Sequence, residues 1–179
     1  MSRRLELMRL LDGFTPTACE RRAMAEMRAI VTDPRDILSA YTYDPGHFTV
    51  SAFVTDRAMS KLVLIRHSRV GAWLQPGGHI EPSDSSLESA ARREICEETG
   101  LTQFESAPGL FDVDSHRVPA YRGQPSHRHF DLRFRMVASD DSLAPPPGGD
   151  EVAWVVFDDV PSLTADRSVL RSLQKLLGP

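Results

Sequence analysis

The chain has little cysteine, no long apolar run and no surplus of positive charge, and each shortage excludes something. Its two cysteines, Cys19 and Cys96, cannot make a disulfide framework, so the fold has to rest on its core, and Cys96 reads as a free thiol. No apolar stretch approaches the roughly 20 residues that a membrane helix needs. The opening Met-Ser-Arg-Arg-Leu-Glu-Leu-Met-Arg-Leu breaks its apolar residues with charge, the wrong pattern for a secretory signal. A cytoplasmic protein without a membrane partner is the expectation. With 21 basic against 25 acidic residues the net charge is −4, which leaves no electrostatic case for a nucleic-acid polymer as partner. Small phosphorylated molecules remain compatible, because a few local arginines can serve them.

A hydrophobic share of 41% over 179 residues suits one soluble domain with a real core. Residues 1–42 read as an N-terminal helical extension and 43–179 as the main domain. In the extension Leu5, Met8 and Leu11, then Met24, Met27 and Ile30, follow a three-to-four residue period. Thr17-x-x-Glu20 is a capping-box candidate for the second helix. Arg3, Arg4, Arg21 and Arg22 read as solvated faces. Strand signals follow at 47–54, 61–66, 111–116, 127–137 and 152–157, with helices expected over 85–98 and 165–177. The pattern predicts an α/β fold, a mixed sheet with helices on both sides.

The chemistry is concentrated in Gly77-Gly78-His79-Ile80-Glu81-Pro82 and in Arg93-Glu94-Ile95-Cys96-Glu97-Glu98-Thr99-Gly100-Leu101. Positions i, i+3 and i+4 are neighbours on a helix surface, so Glu94, Glu97 and Glu98 share one side of a helix near its C-terminal end. There they repel one another and oppose the negative end of the helix dipole. A divalent cation turns both penalties into attraction, and hard oxygen ligands suit Mg²⁺ or Mn²⁺. A solvated acidic helix end is the plain alternative for these three residues taken alone.

The surrounding residues resemble the Nudix box, G-x5-E-x7-R-E-U-x-E-E-x-G-U with U aliphatic. The second half is complete from Arg93 to Leu101, and Trp73-Leu74-Gln75-Pro76-Gly77-Gly78 is similar to the family's approach to the box. The first half departs from the pattern, with Asp84 where the first Glu stands and one extra residue before Arg93. The resemblance implies an α/β/α Nudix sandwich and a phosphohydrolase that cleaves a nucleoside diphosphate linked to another moiety, or a related diphosphate. It implies Mg²⁺ or Mn²⁺ held by Glu97, Glu98, Glu94 and the Gly78 carbonyl. Glu94 would be a ligand or the base that activates water, and Arg93 would hold a glutamate in place. Asp84 could cap the motif helix in place of the first Glu, with Glu81 and Glu88 as the alternatives for that part. Glu151 resembles a late glutamate that several members bring to the metals, and Arg66, His67 and Arg69 lie where cationic groups could meet substrate phosphates. Trp73 and Trp154 read as core residues. A homodimer is compatible with the family, and the substrate is left open. Two alternatives on the same fold are an isomerase of the isopentenyl diphosphate type and a binding or regulatory module without catalysis.

One feature stands outside the box. Asp112, Asp114 and His116 alternate along one expected strand and His127, His129 and Asp131 along the next, and alternation sends each trio to one face. If the strands pair as a hairpin, the six side chains form a patch suited to gripping substrate groups or a second, transition metal.

Overall fold

The computed structural model describes residues 2–178; Met1 and Pro179, the outermost residues of the two expected segments, lie outside them. In chain order the elements are α1 (Arg3–Gly13), α2 (Arg21–Ile30), β1 (His47–Thr55), β2 (Lys61–His67), β3 (Ala72–Leu74), β4 (Gly77–His79), α3 (Leu87–Thr99), β5 (Phe104–Ser106), β6 (Asp112–Val118), β7 (His127–Ala138), β8 (Glu151–Val156), a 3-10 turn over Phe157–Asp159, α4 (Val160–Leu163) and α5 (Arg167–Leu177). The elements make an α/β fold on a mixed sheet. The chain divides into two compact units. One gathers the residues up to Val50 with Gly78–Ala91 and Pro108–Phe134; the other gathers Ser51–Gly77, Arg92–Ala107 and the residues from Arg135 onward.

The strand path of the sheet runs β3-β2-β1-β7-β5, with β8 also on β2; β2, β3, β5 and β8 belong to the second unit. Leu62, Val63, Leu64 and Ile65 of β2 are all buried, as a near-continuous apolar run demands of a strand covered on both faces. β8 pairs with it antiparallel from Lys61↔Val156 to Arg66↔Glu151, and β3 pairs with its far end from Ile65↔Leu74 to His67↔Ala72. α5 buries Val169, Leu173 and Leu176, one stripe at helical spacing. Asp166 caps it by accepting from the Ser168 and Val169 N–H groups at 2.8 and 3.0 Å.

In the first unit β6 and β7 form an antiparallel hairpin running from Asp112↔Arg133 to Val118↔His127. The N-terminal helices bury Leu7, Leu11, Met24 and Met27. Leu5 and Met8 are exposed, contrary to the expected stripe. Leu5, Leu7, Met8, Leu10 and Leu11 offer two apolar faces, and packing selects the pair Leu7 and Leu11, four residues apart. Arg3 and Arg4 are not merely solvated: Arg3 donates to the Glu81 carbonyl and Arg4 to the carbonyls of Val31, Asp33 and Arg35. Val31, Asp33 and Arg35 lie in the segment after α2, and a cation is favoured near the C-terminal end of a helix. Arg21 and Arg22 are exposed. β3, β4 and β5 escaped the sequence reading because three residues are too few to show alternation.

Candidate functional site

α3 is built to stop where its acidic face is. At its start, Ser86 and Ser89 each donate a backbone N–H to the other's hydroxyl, at 2.8 and 2.9 Å, a reciprocal cap. Asp84 instead accepts from the Glu81 N–H at 2.7 Å and closes the preceding turn, so the expectation that Asp84 caps the helix is corrected: the serines sit at the helix start and Asp84 lies before them. At the far end Thr99 is buried and its hydroxyl donates to the Ile95 carbonyl at 2.6 Å. Gly100 then takes φ +78°, and a Cβ there would lie 2.3 Å from the Ala144 carbonyl oxygen. Only glycine ends the helix in this way.

The three glutamates have different surroundings. Arg93 Nη1 donates to Glu94 at 2.9 Å and to Glu97 at 3.0 Å, a charge-assisted bridge across one helical turn. Glu97 is the exposed member at 57%, against 13% for Glu94. Glu98 accepts from the Gly77 N–H at 2.8 Å. Burial pushes its carboxyl up to about 7; the Gly77 hydrogen bond opposes this, while the charges of Glu94, Asp150 and Glu97 add to it. Four carboxylates thus feel one another around Glu98. Asp150 escaped the sequence reading, where it closes the breaker-rich loop Ala144–Asp150. Gly78, next in the chain to Gly77, belongs to the other unit.

Arg66, His67, Ser68, Asp150 and Glu151 line an open cleft of about 330 Å³ in the second unit. Register places Arg66 opposite Glu151, and their side chains, both exposed, approach to 3.5 Å. Asp150 accepts from the Ser68 N–H at 3.1 Å and lies 3.9 Å from His67 Nδ1. Arg69 is exposed in the turn after β2. Trp73 and Trp154 are half-buried rather than core. The Trp154 indole N–H donates to the Asp141 carbonyl at 2.9 Å, and Lys61 lies over its ring at 5.0 Å.

In the hairpin, Asp114 faces Asp131 and His116 faces His129, while Asp112 faces Arg133 and Val118 faces His127. Directly opposed residues share a face, so both trios lie on one side. The aspartates are committed to Arg133, which is 2% exposed and reaches Asp131 at 2.8 Å, Asp112 at 3.4 Å and Asp114 at 3.7 Å. Asp131 also accepts from Thr49 at 3.0 Å. Burial alone would depress the Arg133 guanidinium, and the charges of Asp131, Asp114 and Asp112 raise it instead. Arg133 continues the alternation of His127, His129 and Asp131, so the pattern that placed those three could have placed it. His116 is exposed, with Asp114 at 3.0 Å from its Nδ1. His127 and His129 lie against His47, the buried first residue of β1, which nothing in the sequence tied to them.

A NUDIX domain model matches residues 45–175, and the chain belongs to the Nudix family. The RNA pyrophosphohydrolase of Mesorhizobium japonicum is 34% identical over 106 residues, covering 51% of this chain and 60% of that protein. This chain therefore spans less than two-thirds of the length of that curated relative. A MutT-like protein of Streptomyces ambofaciens is 28% identical over 138 residues, covering 76% of this chain and 82% of its own. A Nudix-family hydrolase structure from Clostridium perfringens superposes with a TM-score of 0.54 at 22% identity, over 73% of this chain and 95% of that one, a likeness of fold.

Proposed function

We propose that the protein is a Mg²⁺- or Mn²⁺-dependent hydrolase of a phosphoric anhydride bond in a nucleotide or related diphosphate. The carrying observation is the crowding of carboxylates at the end of α3, where burial and the charges of Glu94, Asp150 and Glu97 lift Glu98 to about 7. The carboxylates that gather there are hard oxygen donors, which fit a hard divalent cation. Glu94, Glu97 and Glu98 would hold the ion, and when bound it neutralises charge on phosphate oxygens. Arg93 positions Glu94 and Glu97 through its two hydrogen bonds. Glu94, the more buried of that pair, is the group we assign to take a proton from the attacking water. Arg66, His67 and Arg69 bring cationic or hydrogen-bonding groups for the phosphates, with Glu151 opposite Arg66. Such a reaction asks little covalent chemistry of a protein, so positioning and charge neutralisation carry the rate.

The test is release of hydrolysis products (phosphate or pyrophosphate from terminal groups, otherwise the two phosphorylated halves) by the full chain from nucleoside triphosphates, sugar nucleotides, dinucleoside polyphosphates and prenyl diphosphates, with Mg²⁺, Mn²⁺ or chelator. Because relatives such as that of M. japonicum are named RNA pyrophosphohydrolases, an RNA oligonucleotide with a 5′-triphosphate joins the panel. Metal-dependent release from a free nucleotide is the expected result. No release from any compound rejects the hydrolase reading, and release from the RNA alone replaces the substrate class.

A further inference from the structure

Three imidazoles of the first unit converge from two strands. His47 opens β1, and His127 and His129 stand two apart on β7. One ligand nitrogen from each lies within 4.8 Å of the others, and the Nε2 atoms of His127 and His129 are 3.1 Å apart. The ring centroids of His47 lie 5.0 Å from His127 and 4.7 Å from His129. Gly46 permits this approach. Its φ is +124°, and a Cβ there would lie 2.2 Å from the Arg128 carbonyl oxygen, so the backbone entering β1 runs hard against β7 between the two histidines.

The hydrogen bonds fix which nitrogens face inward. His47 is fully buried, and its Nδ1 lies 3.1 Å from the Thr42 carbonyl oxygen. A carbonyl only accepts, so Nδ1 carries the proton and Nε2 presents a lone pair. That buried Nε2 has no hydrogen-bond partner. His127, also buried, repeats the arrangement: its Nδ1 is 2.8 Å from the Pro125 carbonyl oxygen, which leaves the Nε2 lone pair directed at His129. An imidazole that donates one N–H to a carbonyl while its other nitrogen points at a shared centre is the usual posture of a metal ligand.

We propose that His47, His127 and His129 bind a divalent transition-metal ion of the Zn²⁺ class through three imidazole nitrogens. Zn–N bonds of about 2.0–2.1 Å set ligand nitrogens about 3.3 Å apart in a tetrahedron, so small side-chain rotations close the observed set. Imidazole selects borderline metals over Mg²⁺, which prefers oxygen. Neighbouring carboxylates do not change that preference, because Asp112 and Asp131 are held by Arg133 and Asp114 meets His116. No cysteine belongs to this group among the described residues. The exposed ring of His79 flanks the site, 5.1 Å from His47 and 5.4 Å from His129 between centroids. It is the side chain placed to complete the coordination, with water as its substitute.

The test uses the full chain, stripped with chelator and titrated with Zn²⁺ and Co²⁺ in Mg²⁺-free buffer. One equivalent should bind, Co²⁺ should show the intense visible bands of a four-coordinate ion, and X-ray absorption of the Zn²⁺ form should show a nitrogen shell with imidazole scattering. His127→Gln and His129→Gln should each weaken Zn²⁺ binding about 100-fold or more, because even partners of ligands are worth 10- to 100-fold. His47→Gln, if it folds, should do the same. A Glu97→Gln, Glu98→Gln double variant should bind Zn²⁺ with parental affinity. Absence of stoichiometric binding, an oxygen-only shell, or Zn²⁺ affinity equal to the parent's in both β7 variants overturns the proposal. Loss of Zn²⁺ in the double glutamate variant also overturns it, by moving the ion to α3, and leaves the hydrolase reading standing.

Discussion

Arg133 and Arg93 each hold carboxylates, and the contrast between them separates the hairpin from the acidic end of α3. Arg133 is buried in the first unit with Asp112, Asp114 and Asp131 around it, a closed group in which charge is satisfied by the protein itself. What remains on that hairpin face for an outside ligand is imidazole. Arg93 is 20% exposed on α3 and bonds Glu94 and Glu97. Glu98, beyond it, is pushed up to about 7, so part of the charge on this helix end is unbalanced. One region consumes its charge internally, and the other keeps charge available for a cation.

The largest effect should separate the two arginines. Arg133→Met leaves two buried aspartates without their counter-ion and should cost about 3–5 kcal/mol, the usual cost of breaking a buried ion pair from one side. Arg93→Met, at a part-exposed pair, should cost about 1 kcal/mol or less. Urea unfolding without added metal measures both, and similar losses would erase the distinction.

Turnover should then divide the other way. Glu97→Gln and Glu98→Gln should each lower metal-dependent hydrolysis by about 100-fold or more, since removing even a partner of a metal ligand costs 10- to 100-fold. Without metal their melting temperatures should hold or rise, because both carboxylates oppose the helix dipole and each other. Mg²⁺ should raise the melting temperature of the parent by mass action and that of the variants less. Parental turnover in both variants would remove the ligand assignment.

The acidic region was legible because its residues are close in sequence: Glu94, Glu97 and Glu98 need only a helix to bring them together, and the box supplied their context. The hairpin was half legible. Alternation placed Asp112, Asp114, His116, His127, His129 and Asp131 on one face, but it says nothing of long-range partners. His47 comes from a strand 80 residues before His127, and its meeting with β7 depends on a glycine approach that no local pattern encodes. Arg133 sat in the same alternating series and was passed over because a buried arginine runs against composition rules. Asp150 was hidden in a loop, where spacing carries no geometric meaning. Asp84 was assigned to the helix by motif position, whereas the local chemistry of Ser86 and Ser89 decides the cap.

A glycine pair measures how far close backbone approach, rather than conformation, holds the acidic helix end. Gly100 and Gly109 share φ +78°, but a Cβ at Gly100 would meet Ala144 while Gly109 has open space. Gly109→Ala should cost about 1–2 kcal/mol, the penalty of the left-handed region alone. Gly100→Ala should exceed it by about 1 kcal/mol or more, because backbone has to move. Equal costs in thermal or urea unfolding would mean that the loop carrying Ala144 shifts freely, and that the end of α3 is less fixed than the hairpin.

The smallest effect is the pH dependence of stability, in which the two regions should oppose each other. Glu98 has a folded value of about 7 against an ordinary 4.5. The folded state therefore binds its proton more tightly than the unfolded chain. Its contribution is fully present below 4.5 and is lost as pH rises toward 7. His47 and His129 are pushed from 6.5 down to about 4 and about 2. The unfolded chain binds those protons more tightly, so their contribution is fully present above 6.5 and is lost as pH falls toward 4 and below. Between pH 4.5 and 6.5 the two slopes have opposite signs and partly cancel in the metal-free parent. Glu98→Gln should make stability rise more steeply with pH across that window, and His129→Gln should flatten or reverse the rise. Urea midpoints at several pH values, in chelator, read the slopes directly. If Glu98→Gln leaves the profile unchanged, its carboxyl titrates alike in both states, and the charge imbalance that sets the second unit apart from the first is not there.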